Sequence, residues 1–402
     1  MPRDKQLRVA LVWSQFAACH VDRCIAVSRR LDGRARVVAV EVASSSIEYS
    51  AVAPSGVIAG VDKRTLFPQQ TFEAIPRLRR AFAVFSSVLS CRMVCIGIPY
   101  SHLEFLALAW VLRLLGKKVV LLCDTKFDDR SRGASFEFAK WLALSGYDGA
   151  IAASARSADY LRFLGFRKRP VLPGCDGLSL ERIREDARLA NDGNPAFAER
   201  DFVFAGRFIA VKNLPLLIEA YARYAELAGK SARRLRLAGL GPLEPELRRL
   251  VVALDLEDRV IFDGYLTGPV FAGLLNSSLA LVLTSYSETW GMVVNEALAL
   301  GLPVIVTSTP GARDALVRSL VNGYVVENGS REGLARAMLA LGADEARWQA
   351  MRQASCERAW LGDVECFSDA VELLFDPAAQ PARTRVDAYR AVYDEFRGTP
   401  DT

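Results

Sequence analysis

Two glutamates lie eight positions apart in one largely apolar stretch of the chain. Glu288 precedes, and Glu296 lies inside, a segment that reads GMVVNEALALG from Gly291 to Gly301. Its apolar residues, its final glycine and Pro303 beyond predict a helix. The neighbours leave Glu296 almost no polar face, and an unpaired buried carboxylate is costly. We therefore expect Glu296 to need either protein donors or the hydroxyls of a ligand.

Glu288 has a different expected position. Eight positions at about 100° each would put the two carboxylates roughly 80° apart on one helix. This separation favours a loop position for Glu288, one turn nearer to a ligand. The helix amides from Gly291 to Val293 would then point at an anion beside it.

Two cations lie close together earlier in the chain, in the segment FAGRFIAVKN. Arg207 follows a predicted strand and Lys212 precedes a predicted helix, so both could converge on one anion beside helix N-terminal amides. The alternative is two surface cations at loop ends. At the next strand exit, LAGLGP offers a glycine pair, Gly239 and Gly241, where a backbone can approach a ligand closely.

Other nucleotide-binding signatures are missing. Neither half of the chain has G-x-G-x-x-G after its first predicted strand, and no G-x-x-x-x-G-K-[ST] loop occurs. These absences argue against a dinucleotide-dependent dehydrogenase and against a P-loop protein.

The composition is that of a folded protein with two domains. The 402 residues exceed what one core usually supports, and 51% are hydrophobic. The net charge is +5, and no basic stripe carries interleaved aromatic residues, so nucleic acid is not an expected partner. The basic groups in IPRLRRAFAVF and LAWVLRLLGKK would suit weak contact with an anionic membrane, although ordinary solvated cations are the commoner explanation.

Cysteine and histidine usage predicts a reducing location without a metal site. None of the eight cysteines forms a C-x-x-C pair, and there are only two histidines. The adjacent Asp128 and Asp129 fit a solvated loop better than a metal site. The N-terminus lacks a signal-peptide pattern, and no apolar run reaches the roughly 18 residues of a spanning helix. We expect a cytoplasmic protein, at most peripheral to the inner face of the membrane.

Short apolar strands alternate with amphipathic helices along both halves of the chain, which predicts an α/β fold with parallel sheets covered on both faces. Turn residues around NDGNP and a proline-rich stretch after Phe375 mark the expected boundaries. We predict a Rossmann-like domain over 1–190, a second over 191–375, and a linker with a terminal helix over 376–402 that returns to the first domain. A ligand is expected in the cleft between the two domains.

The order and spacing of these motifs resemble a known family. The E-x7-E pattern of SETWGMVVNEALALG, preceded by the arginine and lysine of FAGRFIAVKN and by LAGLGP, is similar to the retaining glycosyltransferases of family 4, which have the GT-B fold. The resemblance implies that Glu296 binds the ribose of a nucleotide sugar, Glu288 the transferred sugar, and Arg207 and Lys212 the diphosphate. It also implies that the remaining donor contacts are made at Gly206, Gly239, Thr289, Trp290, Gly291, Met292 and Val293. Trp290 could stack on the sugar or simply pack.

The first domain is similar to a subset of polysaccharide-building members. HVDR resembles an H-x-x-R element, and LLCDTKFDDR resembles a segment in which other members place a histidine. The resemblance makes His20, Arg23, Asp124, Lys126, Asp128 and Asp129 candidates for the acceptor side. His20 could equally cap a helix, and His102 follows a strand exit, where it could face the cleft or have a structural role at a helix start.

The family implies a metal-independent enzyme without a cofactor, which moves a sugar from a UDP or GDP donor to an acceptor hydroxyl with retention of configuration. The acceptor would be a glycan, a lipid-linked sugar or a small molecule, in surface polysaccharide or glycoconjugate synthesis. Two alternatives stay open: a nucleotide-sugar epimerase of the same fold, and a non-catalytic nucleotide-sugar-binding subunit. The sequence does not identify the base, the sugar or the acceptor.

Overall fold

The computed structural model of the protein describes residues 7–47, 56–190, 193 and 195–398. It divides into two compact units. The first contains the residues up to Ser179 together with those from Val364 onward, and the second spans Leu180–Asp363. Most of the predicted linker around NDGNP lies outside the described residues.

The described residues form strands and α-helices in alternation. The strands are β1 (Leu7–Trp13), β2 (Ala35–Ser45), β3 (Asp62–Thr71), β4 (Met93–Ile96), β5 (Lys118–Cys123), β6 (Gly149–Ala152), β7 (Val171–Leu172), β8 (Phe202–Ala205), β9 (Leu235–Ala238), β10 (Val260–Gly264), β11 (Ala280–Leu283), β12 (Val304–Thr307) and β13 (Gly323–Val326). The helices are α1 (Ala18–Arg30), α2 (Arg77–Val88), α3 (Leu103–Leu114), α4 (Ala134–Ala143), α5 (Ala155–Phe163), α6 (Leu180–Ala190), α7 (Leu214–Ala228), α8 (Glu244–Ala253), α9 (Gly268–Ser277), α10 (Val293–Ala299), α11 (Arg313–Leu316), α12 (Arg331–Gly342), α13 (Glu345–Arg358), α14 (Val364–Phe375) and α15 (Gln380–Gly398).

The first unit is built on a seven-stranded sheet in the order β3-β2-β1-β4-β5-β6-β7. All its described pairings are parallel. Strands β4 and β6 are buried along their whole length, as expected for a parallel sheet covered by helices on both faces. The strand order reverses between β1 and β4, which is where open α/β sheets usually bind ligands.

The second unit repeats this plan with six parallel strands in the order β10-β9-β8-β11-β12-β13. Its strand order reverses between β8 and β11. The two Rossmann-like sheets predicted from the sequence are therefore confirmed. Three strands were not predicted: the edge strand β3, the two-residue β7, and β13.

The C-terminal helices belong to the first unit. Helix α14 packs on α1, where Arg30 and Arg34 form ion pairs with its acidic residues Glu365, Asp369 and Glu372. The first unit therefore begins again at Val364, whereas the second domain was predicted to end at residue 375. These ion pairs join segments more than 300 positions apart, so a local sequence pattern cannot predict them.

Helix α15 also packs in the first unit, where the Tyr393 hydroxyl donates to the Ala153 carbonyl at 2.8 Å. It begins at Gln380, so the predicted linker is shorter than expected and only residues 376–379 connect the two helices. Pro381 lies in the first turn, where proline is tolerated because its missing N–H would have no intrahelical acceptor. Among the described residues, no helix is long and apolar enough to cross a membrane.

Candidate active site

The second unit collects most of the predicted site residues at the carboxyl edge of its sheet. Strands β8 and β11 are parallel neighbours, so the loops that follow them leave the sheet at the same edge. The β8 loop carries Arg207 and Lys212, and the β11 loop carries Glu288. This is the position at which the strand order reverses, so these charges lie where the fold favours a ligand.

Lys212 is fixed by the backbone around it. It ends a short 3₁₀ helix, Ala210–Lys212, and Asn213 then takes a left-handed conformation with φ +52° before α7 begins. The β11 loop holds this turn in place, because the Thr284 hydroxyl donates to the Lys212 carbonyl at 3.0 Å and the Tyr286 amide donates to the Val211 carbonyl at 3.0 Å.

Lys212 and Glu288 form an ion pair. Their side chains are only 15% and 16% exposed, respectively, so water screens the pair less than it would at the surface. The Ser285 hydroxyl also donates to Glu288, at 3.0 Å, and the Ser285 carbonyl accepts a hydrogen bond from Thr307 at 2.7 Å. The two residues that the sequence assigned to different parts of a ligand are therefore in direct contact with each other.

Arg207 is exposed, and its guanidinium has no side-chain partner within the part of the chain that the structure describes. Arg207 therefore adds an unpaired positive charge to the loop that carries Lys212. An anion that reached it could also draw Lys212 away from Glu288, because charge-assisted bonds to phosphate are strong.

Gly206 and Gly239 let the ends of β8 and β9 approach closely. The Gly239 amide donates to the Gly264 carbonyl at 2.7 Å, and its φ is +151°. A Cβ at Gly239 would lie 1.9 Å from the Gly206 carbonyl oxygen, closer than any real contact. Only glycine fits there, and this close approach determines where the backbone leading to Arg207 runs.

Helix α10 starts one residue later than the predicted helix, which began at Met292. It spans Val293–Ala299, and Gly291 precedes it with φ +106°. The Val294 amide donates to the Gly291 carbonyl at 2.9 Å. The expected position of Glu296 inside the helix is confirmed, and Glu288 lies in the loop as predicted.

The expected burial of Glu296 is wrong. Glu296 is half-buried, because the inward face of this short helix is formed by Val294, Asn295, Ala297 and Leu298. Met292 and Val293 are also half-buried. A partly exposed carboxylate at the start of a helix can reach a ligand from solvent, so the position remains suited to binding hydroxyls.

The buried polar residue of this helix is Asn295, which the sequence analysis missed. Its side chain accepts a hydrogen bond from the Trp290 indole at 2.8 Å and donates to the Gly362 carbonyl at 3.0 Å. Trp290 is buried, so of the two roles considered for it the structure shows packing. The same loop is fixed at Gly311, where a Cβ would lie 2.0 Å from the Thr289 carbonyl oxygen. The sequence signal for this contact was an asparagine inside an otherwise apolar helix, five positions after a tryptophan.

In the first unit, His20 caps a helix. The Ala17 amide donates to His20 Nδ1 at 2.9 Å at the start of α1, which leaves the proton on Nε2. The imidazole lies 4.8 Å from the Trp13 ring, between ring centroids. Burial, with the nearby Arg23 guanidinium, holds the pKa of His20 well below its ordinary value. Of the two roles left open for His20, the structure shows the helix cap.

Arg23 forms an ion pair with a carboxylate at the carboxyl edge of the first sheet. Its guanidinium donates to Asp176 at 3.1 Å and to the Gly177 carbonyl at 3.2 Å. Burial raises the pKa of Asp176 to about 6, although Arg23 opposes the shift, and the Asp124 carboxylate adds to it. The predicted Arg23 and Asp124 therefore lie close to one acidic group, Asp176, that the sequence analysis did not select.

The remaining first-unit candidates are engaged in local ion pairs. Lys126 is buried and paired with Asp129, and Asp128 lies 2.6 Å from Arg156. Each carboxylate therefore has a cation as its partner; Asp128 is exposed, as expected for a solvated loop, whereas Asp129 is half-buried. These contacts fix the loop that follows β5.

His102 sits at the start of α3, where a structural role was expected. Its Nδ1 lies 3.3 Å from the Arg80 guanidinium, which pairs with Glu104 in a buried cluster. Burial and the Arg80 charge lower the pKa of His102. A neutral imidazole is therefore favoured beside the arginine.

The fold is that of the GT-B glycosyltransferases. HepE from Anabaena, solved in complex with UDP and glucose, superposes with a TM-score of 0.67 at 17% identity, over 92% of this chain and 100% of that one. A sucrose-phosphate synthase from Thermosynechococcus elongatus superposes with a TM-score of 0.67 at 18% identity, over 92% and 98%. At these identities the likeness concerns the fold alone.

The second unit is also similar in sequence to known proteins. Residues 190–358 match the family described as Glycosyl transferases group 1. D-inositol 3-phosphate glycosyltransferase 1 from Catenulispora acidiphila is 30% identical over 229 residues, which cover 54% of each protein. The chain spans about half, or less, of the length of the curated relatives it matches. The family match over residues 190–358 includes every second-unit residue of the candidate site.

Proposed function

We propose that this protein is a retaining glycosyltransferase of family 4 that moves a sugar from a nucleoside-diphosphate donor to an acceptor hydroxyl. The observation that carries the proposal is the ion pair of Lys212 with Glu288 where the strand order of the second sheet reverses, with the exposed Arg207 on the same loop as Lys212. That arrangement offers cations for a diphosphate and a carboxylate for sugar hydroxyls. The group 1 family match that contains these residues and the UDP-bound HepE structure support a nucleotide-sugar donor.

In the proposed reaction the bond between the anomeric carbon and the donor phosphate oxygen breaks, and the acceptor oxygen forms the new glycosidic bond on the same face. The acceptor proton passes to an oxygen of the departing diphosphate. Arg207 and Lys212 stabilise the charge that develops on the leaving group. Glu288 orients the transferred sugar, and Glu296 binds the ribose. No carboxylate acts as a nucleophile, and neither metal nor cofactor is required.

The acceptor is proposed to be a glycan, a lipid-linked sugar or a small molecule, contacted from the first unit near Arg23, Asp124 and Asp176. A role in surface polysaccharide or glycoconjugate synthesis is part of the proposal. So is a cytoplasmic location at the inner face of the membrane, which agrees with eight free cysteines.

The first experiment identifies the donor. A thermal-shift screen against UDP, GDP, ADP and TDP and their sugars should single out one base, because a ligand at 100 times its Kd stabilises the folded protein by about 2.7 kcal/mol. The preferred donor is then incubated with and without candidate acceptors. A new glycoside supports the proposal; an epimer formed without acceptor, or donor binding with no transfer to any acceptor, would contradict it.

The second experiment tests the site. Glu296→Ala should weaken donor binding by about 10- to 100-fold, the effect of losing hydrogen bonds to a charged group. Glu288→Ala should reduce turnover more than it reduces nucleotide affinity. Glu257→Ala removes an exposed carboxylate of the same unit and serves as the control. Transfer at the wild-type rate by either site variant would refute the assignment.

A further inference from the structure

Helix α4 in the first unit has its charged residues inside and its large apolar residues outside. Glu137 and Lys140 are buried, and both bind the Tyr160 hydroxyl, at 2.6 and 2.8 Å, respectively. The exposed large side chains of the same helix are Phe136, Phe138, Trp141 and Leu142. This distribution is the reverse of an ordinary surface helix, whose apolar residues face the core.

Helix α3 adds a second exposed apolar stripe. Its solvent side carries Leu103, Ala107, Trp110, Val111 and Leu114, which recur with helical spacing. Leu114 is 81% exposed. The only exposed charged residue of this helix is Arg113, which lies 3.2 Å from Asp148. Scattered surface leucines are normal, whereas a continuous apolar face marks an interaction site.

The two helices meet, so their exposed side chains are neighbours. The Trp110 indole donates to the Ala143 carbonyl, the last residue of α4, at 3.2 Å. The Trp110 ring also packs on Gly146, where a Cβ would lie 3.0 Å from it. We call the exposed apolar residues of α3 and α4 the aromatic face.

Cations lie at the border of the aromatic face. Trp141 and Phe163 line an open pocket of about 490 Å³ together with Arg167, Lys168 and Arg169. Arg169 donates to the carbonyls of Leu144 and Tyr147, at 2.8 and 2.7 Å. Arg167 and Lys168 are exposed and have no side-chain partner in the described parts of the chain. The pocket therefore combines aromatic walls with two uncompensated positive charges.

We propose that the aromatic face, with Arg167 and Lys168 at its border, docks on the surface of an anionic phospholipid bilayer. Exposed tryptophan and phenylalanine suit the boundary between headgroups and acyl chains, and lysine or arginine beside them pairs with anionic headgroups. A second copy of the chain fits less well. In a two-fold interface the same patch of both copies meets, so the uncompensated cations of one copy would face those of the other and repel them.

The test uses the full chain and vesicle flotation. Wild-type protein should float with vesicles of equal parts phosphatidylcholine and phosphatidylglycerol, and far less with phosphatidylcholine alone. The double variant Leu114→Ser with Leu142→Ser should bind the anionic vesicles at least about tenfold more weakly. The matched control, Leu189→Ser with Val252→Ser, alters two exposed aliphatic residues of the second unit and should bind like the wild type.

The cations are tested separately. Arg167→Gln with Lys168→Gln should lose about fivefold in vesicle affinity for each charge removed. Lys230→Gln with Arg249→Gln removes two exposed cations of the second unit and should have no effect. A circular dichroism spectrum and a thermal transition like those of the wild type establish that each variant is folded.

Three results would overturn the proposal. In the first, wild-type protein fails to float with anionic vesicles. In the second, the aromatic-face and control variants bind equally well. In the third, light scattering shows a dimer that the leucine variant abolishes while vesicle binding is unchanged, which would assign the face to contact between copies. None of these measurements depends on sugar transfer, so the docking surface and the proposed activity can fail independently.

Discussion

Gly239→Ala should disturb the candidate site from a position that carries no charge. The added Cβ would lie 1.9 Å from the Gly206 carbonyl oxygen and 2.9 Å from its carbon, so rigid backbone must move. Overlap of this kind costs about 1–3 kcal/mol, and an unfavourable φ adds about 1–3 kcal/mol. We therefore expect the free energy of unfolding to fall by about 2–6 kcal/mol.

The matched control is Gly229→Ala. Gly229 also has a positive φ, +58°, but a Cβ there meets nothing within 4 Å. This variant should lose only the conformational cost of about 1–3 kcal/mol. The difference between the two variants therefore isolates the overlap between the ends of β8 and β9.

The assay is urea unfolding of both variants, with the slopes compared before the midpoints are interpreted. Calorimetric titration with the nucleotide identified by the thermal-shift screen follows. Gly239→Ala should weaken nucleotide binding, because the displaced Gly206 precedes Arg207 directly. Equal stability and equal affinity in the two variants would refute the inferred role of this close approach.

Two further predictions concern buried polar groups. His20→Gln keeps a side-chain acceptor at the third position of α1 and removes the titration. The folded pKa of His20 lies below that of the unfolded chain, so wild-type stability should fall by up to about 1.4 kcal/mol for each pH unit below about 6.5. Urea unfolding at pH 6.5 and 5.5 should show a smaller loss in the variant. Asn295→Ala removes the partner of the Trp290 indole and of the Gly362 carbonyl, so it should destabilise the protein by about 2–4 kcal/mol. The control, Asn276→Ala, changes a half-buried position of α9 and should cost less than about 1 kcal/mol in the same assay.

The sequence predicted largely apolar strands such as β1 and missed the polar edge strand β3. Strand β1 was placed at its observed bounds, because LRVALVW is a largely apolar run whose last five residues are all apolar and buried. Strand β3, DKRTLFPQQT, lies at a sheet edge, is mostly half-buried and contains a proline, so it carries no such pattern. Local periodicity detects strands that are buried on both faces. An edge strand such as β3 pairs with one neighbouring strand only, so its position cannot be read from its own residues.

The sequence predicted which residues belong to the site, but it did not predict which residues are in contact with one another. Periodicity marked the helix that holds Glu296, yet it could not tell which of its residues faces inward, and Asn295 took that place. In the first unit, Asp176 follows a two-residue strand that no pattern signals, so its contact with Arg23 was also missed. Both omissions arise because burial and ion pairing are set by tertiary neighbours.

The pair between Lys212 and Glu288, 76 positions apart, changes what the Glu288 variant should do. While the two are paired, a diphosphate must compete with Glu288 for Lys212. Removing the carboxylate frees the lysine, so nucleotide affinity should be maintained or should rise even as the transferred sugar loses its anchor. Turnover and affinity would then move in opposite directions, which simple damage to the site does not produce. A fall in nucleotide affinity that matches the fall in turnover would instead mean that Glu288 supports the loop around Lys212, and the sugar-binding role would have to be abandoned.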